Sequence, residues 1–545
     1  MRTLPALIFA ACSGAAAPPV QPEGEHPIAV EVRPADVEVV TSPGGAAPLV
    51  FEAWATYADG EPERVDVVQW SLSNRSAGAL DTDGAFVAST TNGGEALVTA
   101  TLDGVSGTAA LHVVFEDALN PDGVDTSLFS GPRLPPLVDD GGAPLTAWLY
   151  PPDRVVVPRN APALHFMWQD QGALAYRLSF RSPTTRIDVY TPRPEYVADE
   201  AMWARTAATN AGGDVSVELS AALPDGVRTE KGRQVHVNRL DAFGSIIYWS
   251  TSRSGLVEIP YGLPARDFLT PAETGHCVAC HAVSRDGRVA FTYDGGNGAL
   301  GVKSIADRAD IVGPDSGQAG NFHTFSPDGQ LLVTASHGDL RLIDATTGAA
   351  LGDVLTTGDA THPDWSPTDD ALVFVRARSH IEDWILGGST SLLMMDHLGG
   401  GSFGAPRLLV ESDADHRLYY PSFSPDGAWV AYNRSTGDTY DDPDAELWVV
   451  AADGSSPPIR LDAANDVGPL TNSWPRWGPL PDDDVLWLTF ASKRPYGFLT
   501  SGNPQIWMTA FDPTRAASGL DPSSPAAWLP NQDVTTNNHI PVWTE

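Results

Sequence analysis

At 545 residues the chain is too long for one ordinary domain, and a hydrophobic content of 42% excludes wholesale disorder. A net charge of −36, from 69 acidic against 33 basic residues, argues against nucleic acid, whose phosphates need Lys and Arg to displace counterions, and equally against electrostatic docking on anionic lipid. The 51 glycines and 46 prolines punctuate short apolar runs, so an all-β chain rich in turns is predicted.

Residues 1–26 open on "MRTLPALIFAACSGAAAPPVQPEGE": one Arg, an apolar run, then "FAAC" ending at Cys12. This stretch resembles a bacterial lipoprotein signal, which implies export, acylation at Cys12 and an outer-membrane or periplasmic lipid anchor. An ordinary secretory signal is the alternative. "SGAAAPPVQPEGEHP" then reads as a flexible tether. No later stretch approaches eighteen apolar residues, so nothing further is expected to span a bilayer as a helix. If Cys12 carries lipid, Cys277 and Cys280 are the remaining cysteines, and in an oxidising compartment they form a disulfide, a metal site or a thioether pair.

Residues 27–115 carry short alternating strands such as "IAVEVRPADVEVV" and "ALVTATLDG", separated by Gly, Asp and Asn turns. The phrase "VQWSLSNRSAGALDTDGAFVASTTNGGEALVTATLDGVSGTAALHV" resembles group 2 bacterial immunoglobulin-like domains, which implies a β-sandwich acting as spacer or stalk, with Trp70 in its core. Residues 116–144 are dense in Pro, Gly and Asp and read as a linker; "ALNPDGVD" lacks the acid that an EF-hand loop needs where Ala118 stands. Residues 145–262 read as a second sandwich, whose "APALHFMWQDQGALAYRLSFRSP" resembles fibronectin type III domains. Its last strands, "IIYWSTSRSGLVEI", fit equally well in the next domain.

From 263 to 545 the chain repeats. "VSRDGRVAFTYDG", "FSPDGQLLVTAS", "WSPTDDALVFVRA", "FSPDGAWVAYNRS" and "WGPLPDDDVLWLTFASKR" each place a turn between two strands, most with a third phrase such as "LWVVAADG". The spacing of roughly 40–55 residues suits a four-stranded blade. These phrases resemble TolB-type, WD40-like repeats, which implies a β-propeller. Six blades are expected, with five or seven as alternatives. "IPVWTE" is expected to pair near residues 240–262 and close the ring.

"CVACH" at 277–281 is the one chemical motif. Two thiols at this spacing can add to the vinyl groups of haem, and the adjoining imidazole can turn onto the iron. One covalent haem c on Cys277, Cys280 and His281 is therefore expected. A metal site or a disulfide are the alternatives. Three residues before the turn serine stand His281 and His323, and four before it His362; His539 lies two before Pro541. The innermost strands line the channel, so His281, His323, His362 and His539 are expected to converge at its mouth, with His323 or His539 as the sixth haem ligand. Met394 and Met395 are expected in the core, and Trp365, Trp429, Trp448, Trp477 and Trp507 between blades. The acidic run "DTYDDPDAE" at 438–446 reads as a solvated loop, with calcium as its alternative.

No nucleophile elbow, phosphate loop or paired-carboxylate motif stands out, so whether the chain is an enzyme is left open. The expectation is an exported haem-bearing propeller for electron transfer or small-molecule redox with an unnamed redox partner. The alternative is an envelope scaffold that binds other proteins, in which the Cys-His cluster is structural.

Overall fold

The computed structural model describes residues 26–58, 60–139, 142, 145–352, 354–356, 359–466, 471–479, 485–499 and 502–544. Cys12 and the signal segment lie outside these residues. The protein is all-β apart from short helices, and its contacts divide it into two units, Met1–Phe115 and Glu116–Glu545.

In the first unit, Ala29–Arg33 pairs antiparallel with Glu52–Thr56, which pairs with Glu63–Val65. A second sheet joins Gln69–Leu72, Gly94–Leu102 and Val105–Leu119, with Asp36–Thr41 added parallel to the last. Alternating side chains fill the core: Val30 and Val32 from one strand, Val98 and Ala100 from another, Leu111 and Val113 from a third. Trp70 is half-buried at the margin of that core.

The second unit begins with a sandwich. Ala175–Ser182 and Thr185–Thr191 form a hairpin, extended by Gly213–Leu223, Arg233–Val237 and Val155–Val157. Trp148–Tyr150, His165–Trp168 and Glu195–Val197 make a second sheet. A helix not anticipated from the sequence, α1 (Glu200–Thr209), starts where Asp199 accepts a hydrogen bond from the Met202 amide at 2.9 Å, and it buries Met202 and Trp203. The segment expected as a linker is not a free tether: Arg133 bridges Val227, the Leu134 amide donates to the Val227 carbonyl, and Phe129 packs edge-on to Tyr190 at 5.5 Å.

Beyond this sandwich, six sheets of three to five strands follow one another among the described residues. The strands that matter for the site are β1 (Ser245–Ser250), β2 (Val278–Val283), β3 (Phe322–Phe325), β4 (Ala360–Trp365), β5 (Arg417–Phe423), β6 (Ser473–Trp477) and β7 (Asn538–Trp543). Each of β2 to β7 is the first strand of its sheet on the axis side. Consecutive ones are neighbours, and β7 also neighbours β2, so the ring is closed. Closure comes from β7 pairing antiparallel with β1, Ile246 opposite Trp543 and Ser250 opposite Asn538. The strands 245–260 therefore belong to this β-propeller and not to the sandwich before it, which moves the boundary from 262 to before Ser245. Closing the ring joins strands from both ends of this unit in one sheet and leaves only short outer sheet edges at the rim.

The turn phrase has a local cause. In "FSPDGQL", the Ser326 hydroxyl donates to Asp328 at 2.6 Å and accepts from the Leu331 amide at 2.9 Å, while Gly329 takes φ +69°. Ser424, Asp426 and Gly427 repeat this arrangement. Met394 and Met395 are buried. Trp429, Trp477 and Trp507 share one core cluster, Trp365 is buried in another, and Trp448 lies half-buried beneath the Arg434 guanidinium.

Candidate functional site: the channel and its open end

Aligning the six axis strands on Val283, Phe325, Trp365, Phe423, Trp477 and Trp543 turns the channel into layers. Three residues earlier stand Cys280, Phe322, His362, Tyr420, Trp474 and Ile540. In four of these the next residue is proline, and His362, Tyr420, Trp474 and Ile540 all take left-handed φ of +49° to +61°. For residues other than glycine this costs on the order of 1–3 kcal/mol each, and the ring around them must hold it. The side chains meet on the axis: Tyr420 stacks on Trp474 with centroids 3.5 Å apart, and the Phe322 and His362 rings meet edge to face at 4.3 Å. Together they plug the channel.

Cys280 is a member of this plug layer. It is 9% exposed, and burial pushes its thiol up to about 12, so it is a protonated thiol. Cys277 is exposed, with its amide donating to Asp294 at 3.2 Å. The strand is irregular at Cys280, between Ala279 and His281, and His281 donates from Nε2 to the Ile247 carbonyl at 3.0 Å. The proton on Nε2 leaves Nδ1 as a lone-pair acceptor, and this buried atom has no partner among the described residues. Burial holds the ring neutral with its pKa lowered to about 4, and the nearby Arg476 charge acts the same way.

A covalent haem needs both sulfurs along one accessible edge and the imidazole free to reach iron. Here the second sulfur lies in the plug and the imidazole is engaged on a backbone carbonyl. As folded, Cys277, Cys280 and His281 do not fit that group.

The four histidines do not converge either, because they occupy three layers. His281 and His323 stand where the other axis strands carry proline. His323 donates from Nε2 to Thr292 at 3.1 Å, whose own hydroxyl donates to Gly320, and accepts at Nδ1 from Thr334 at 3.0 Å. Burial, with His281 beside it, lowers its pKa to about 3. His362 is part of the plug. His539 lies one layer further on, between Tyr440 and Trp249, with Nδ1 3.7 Å from Asp441. Its pKa is lowered to about 4 by burial, opposed by Asp441. Among the described residues no group of three His, Cys, Asp or Glu is placed to hold a metal ion, and that includes the acidic run at 438–446. That run is held as a loop: Thr439 accepts from the Leu386 amide and donates to the Trp384 carbonyl, and Asp441 pairs with Lys493 at 3.1 Å.

On the turn-phrase side of the plug lies a cavity of about 200 Å³. Its wall holds His281, His323, Asp364 and Arg476 beneath Trp365, Trp477 and Trp543. Sequence reasoning passed over Asp364 and Arg476, although the signal was present: "HPDW", "YPSF", "WPRW" and "IPVW" place one variable residue between proline and aromatic. Asp364 accepts from the Phe423 amide at 2.7 Å; burial pushes its carboxyl up to about 6, against the pull of Arg476. Arg476 donates one Nη1 to the Pro475 carbonyl at 3.0 Å, and burial lowers its pKa despite Asp364. Among the described residues no ion pair joins the two side chains, and both line the cavity.

No family model matches this chain, and no curated protein does. Among solved structures, the chain is similar to a TolB of Agrobacterium tumefaciens, at 19% identity over 53% of this chain and 89% of that one, with a TM-score of 0.33. It is also similar to TolB from Acinetobacter baumannii, at 15% identity over 62% and 80%, with a TM-score of 0.38. A third is a dihydro-haem d1 dehydrogenase, at 13% identity over 53% and 55%, with a TM-score of 0.30.

Proposed function

We propose that this chain is an exported, lipid-anchored envelope protein whose six-bladed, TolB-like propeller is a non-enzymatic binding module. In this reading Cys12 carries the lipid, and Cys277, Cys280 and His281 serve the fold. The observation that carries it is the burial of Cys280 in the plug layer, at the position filled by Phe322, Tyr420 and Trp474 in other sheets. A side chain packed there supports neighbours and is not offered to a porphyrin. The charged cavity above the plug is the recognition surface.

The test is expression of the full chain together with haem c maturation machinery. A colourless protein with the mass of the polypeptide and its lipid is expected. An absorption band that stays with the denatured polypeptide would overturn the reading. It would instate one covalent haem c on Cys277 and Cys280, with electron transfer or small-molecule redox as the role.

A further inference from the structure

The channel-end cavity brings two opposite charges, Arg476 and Asp364, into one small wall. Arg476 presents guanidinium donors that no described residue answers beyond two backbone carbonyls, at 3.0 and 3.5 Å. Asp364, from a strand two places away around the ring, presents a carboxylate whose one hydrogen-bond donor among the described residues is the Phe423 amide. His281 stands in the same wall, its Nδ1 buried and without a donor among the described residues. A guanidinium binds a carboxylate in a planar, two-bond arrangement, and a carboxylate accepts from an ammonium. Separated charges of opposite sign inside one desolvated wall are costly until something bridges them.

The bridging molecule must therefore carry both signs. It must also be small, since about 200 Å³ is below the range of roughly 300–1,000 Å³ that holds drug-sized ligands. Trp365, Trp477 and Trp543 stand in the same wall. Indole faces favour a cation and cover a short aliphatic stem. A simple anion would leave Asp364 repelled; a simple cation would leave Arg476 unanswered.

We propose that the cavity binds a small aliphatic amino carboxylate, its carboxylate on Arg476 and its ammonium on Asp364. This rests on the reading of the channel end as a binding site, and not on whether haem is present.

Isothermal titration of the full chain, expressed without haem maturation, tests it with glycine, β-alanine and 4-aminobutanoate as probes and acetate and ethylammonium as single-charge controls. At least one amino carboxylate is expected to bind about tenfold or more tightly than either control, a difference of about 1.4 kcal/mol. The spacing of the best probe reports the gap between the two charges. Asp364→Asn, which keeps size and shape, should remove that preference while leaving acetate binding as tight or tighter, since it lifts the repulsion, and Arg476→Gln should weaken both acetate and the amino carboxylate about tenfold or more. Acetate binding as tightly as every amino carboxylate would reduce the site to an anion hole and overturn the proposal. So would no binding by any probe, or unchanged affinity in Asp364→Asn. If Arg476→Gln fails to fold by circular dichroism, the Asp364→Asn and acetate comparisons still decide. The optical spectrum of matured protein reads the haem question separately, so either reading can fail without the other.

Discussion

Cys277 and Cys280 are three residues apart, yet the fold gives them opposite surroundings, one thiol in solvent and one in the plug. In a Cys12→Ser chain, a thiol reagent should therefore titrate one sulfur quickly, and the second only on unfolding. Two fast thiols would mean that the plug is open. Cys280→Ser puts a hydroxyl where a thiol packs, and is expected to lose about 1–3 kcal/mol in denaturant melts, whereas Cys277→Ser should stay within about 0.5 kcal/mol. The motif announced its residue types and spacing, but nothing in five letters states the backbone that carries them. A strand irregularity at Cys280 sets its surroundings apart from those of His281. The register count from the turn serine did bring His281 and His323 to one level, because the repeat fixes phase. The same count sets His362 one residue and His539 two residues before that level, and since each step along a strand is also a step along the channel, the three layers were legible there.

Among the elements, the strongest sequence signals were those with a local cause. The Ser-Pro-Asp-Gly turn is written in hydrogen bonds among its own residues, so its positions could be read directly. The helix α1 was not legible: ten residues, begun by Asp199, are too few to stand out from the strand pattern around them. Two positions test how the elements depend on one another. Trp474 is buried in the plug and stacked on Tyr420, so Trp474→Ala should cost about 3–5 kcal/mol by thermal or urea melting. Gly244 precedes β1 with φ +88°, and a Cβ there would come within 2.1 Å of the Thr544 carbonyl oxygen. Gly244→Ala should therefore destabilise by more than the roughly 1–2 kcal/mol of left-handed strain alone, and should raise amide exchange in β1 and β7 before other strands.

For the whole molecule, buried imidazoles set the acid limit. His281, His323 and His539 are neutral in the fold, with pKa values lowered to about 4, 3 and 4 by burial. The unfolded chain takes up these protons near pH 6.5 and the fold does not, so their contribution is intact above that pH and is lost as pH falls toward 4. Asp364, raised to about 6, acts oppositely: its contribution is present below its unfolded value and is lost as pH rises through 6. Three groups outweigh one, and Tm measured by calorimetry is expected to fall steadily from pH 6.5 to 4. A Tm that rises over that interval would show the histidines to be solvated. The seam between β1 and β7 has a kinetic consequence of its own. Residues 299 apart in sequence, Ser245 and Thr544, are joined there by a 3.0 Å hydrogen bond. A nascent chain must hold β1 unmated while every intervening sheet forms, and during that wait it is a sticky template for other polypeptides. Refolding yield should accordingly depend on dilution, with crowded samples trading the intramolecular seam for swapped dimers and aggregate.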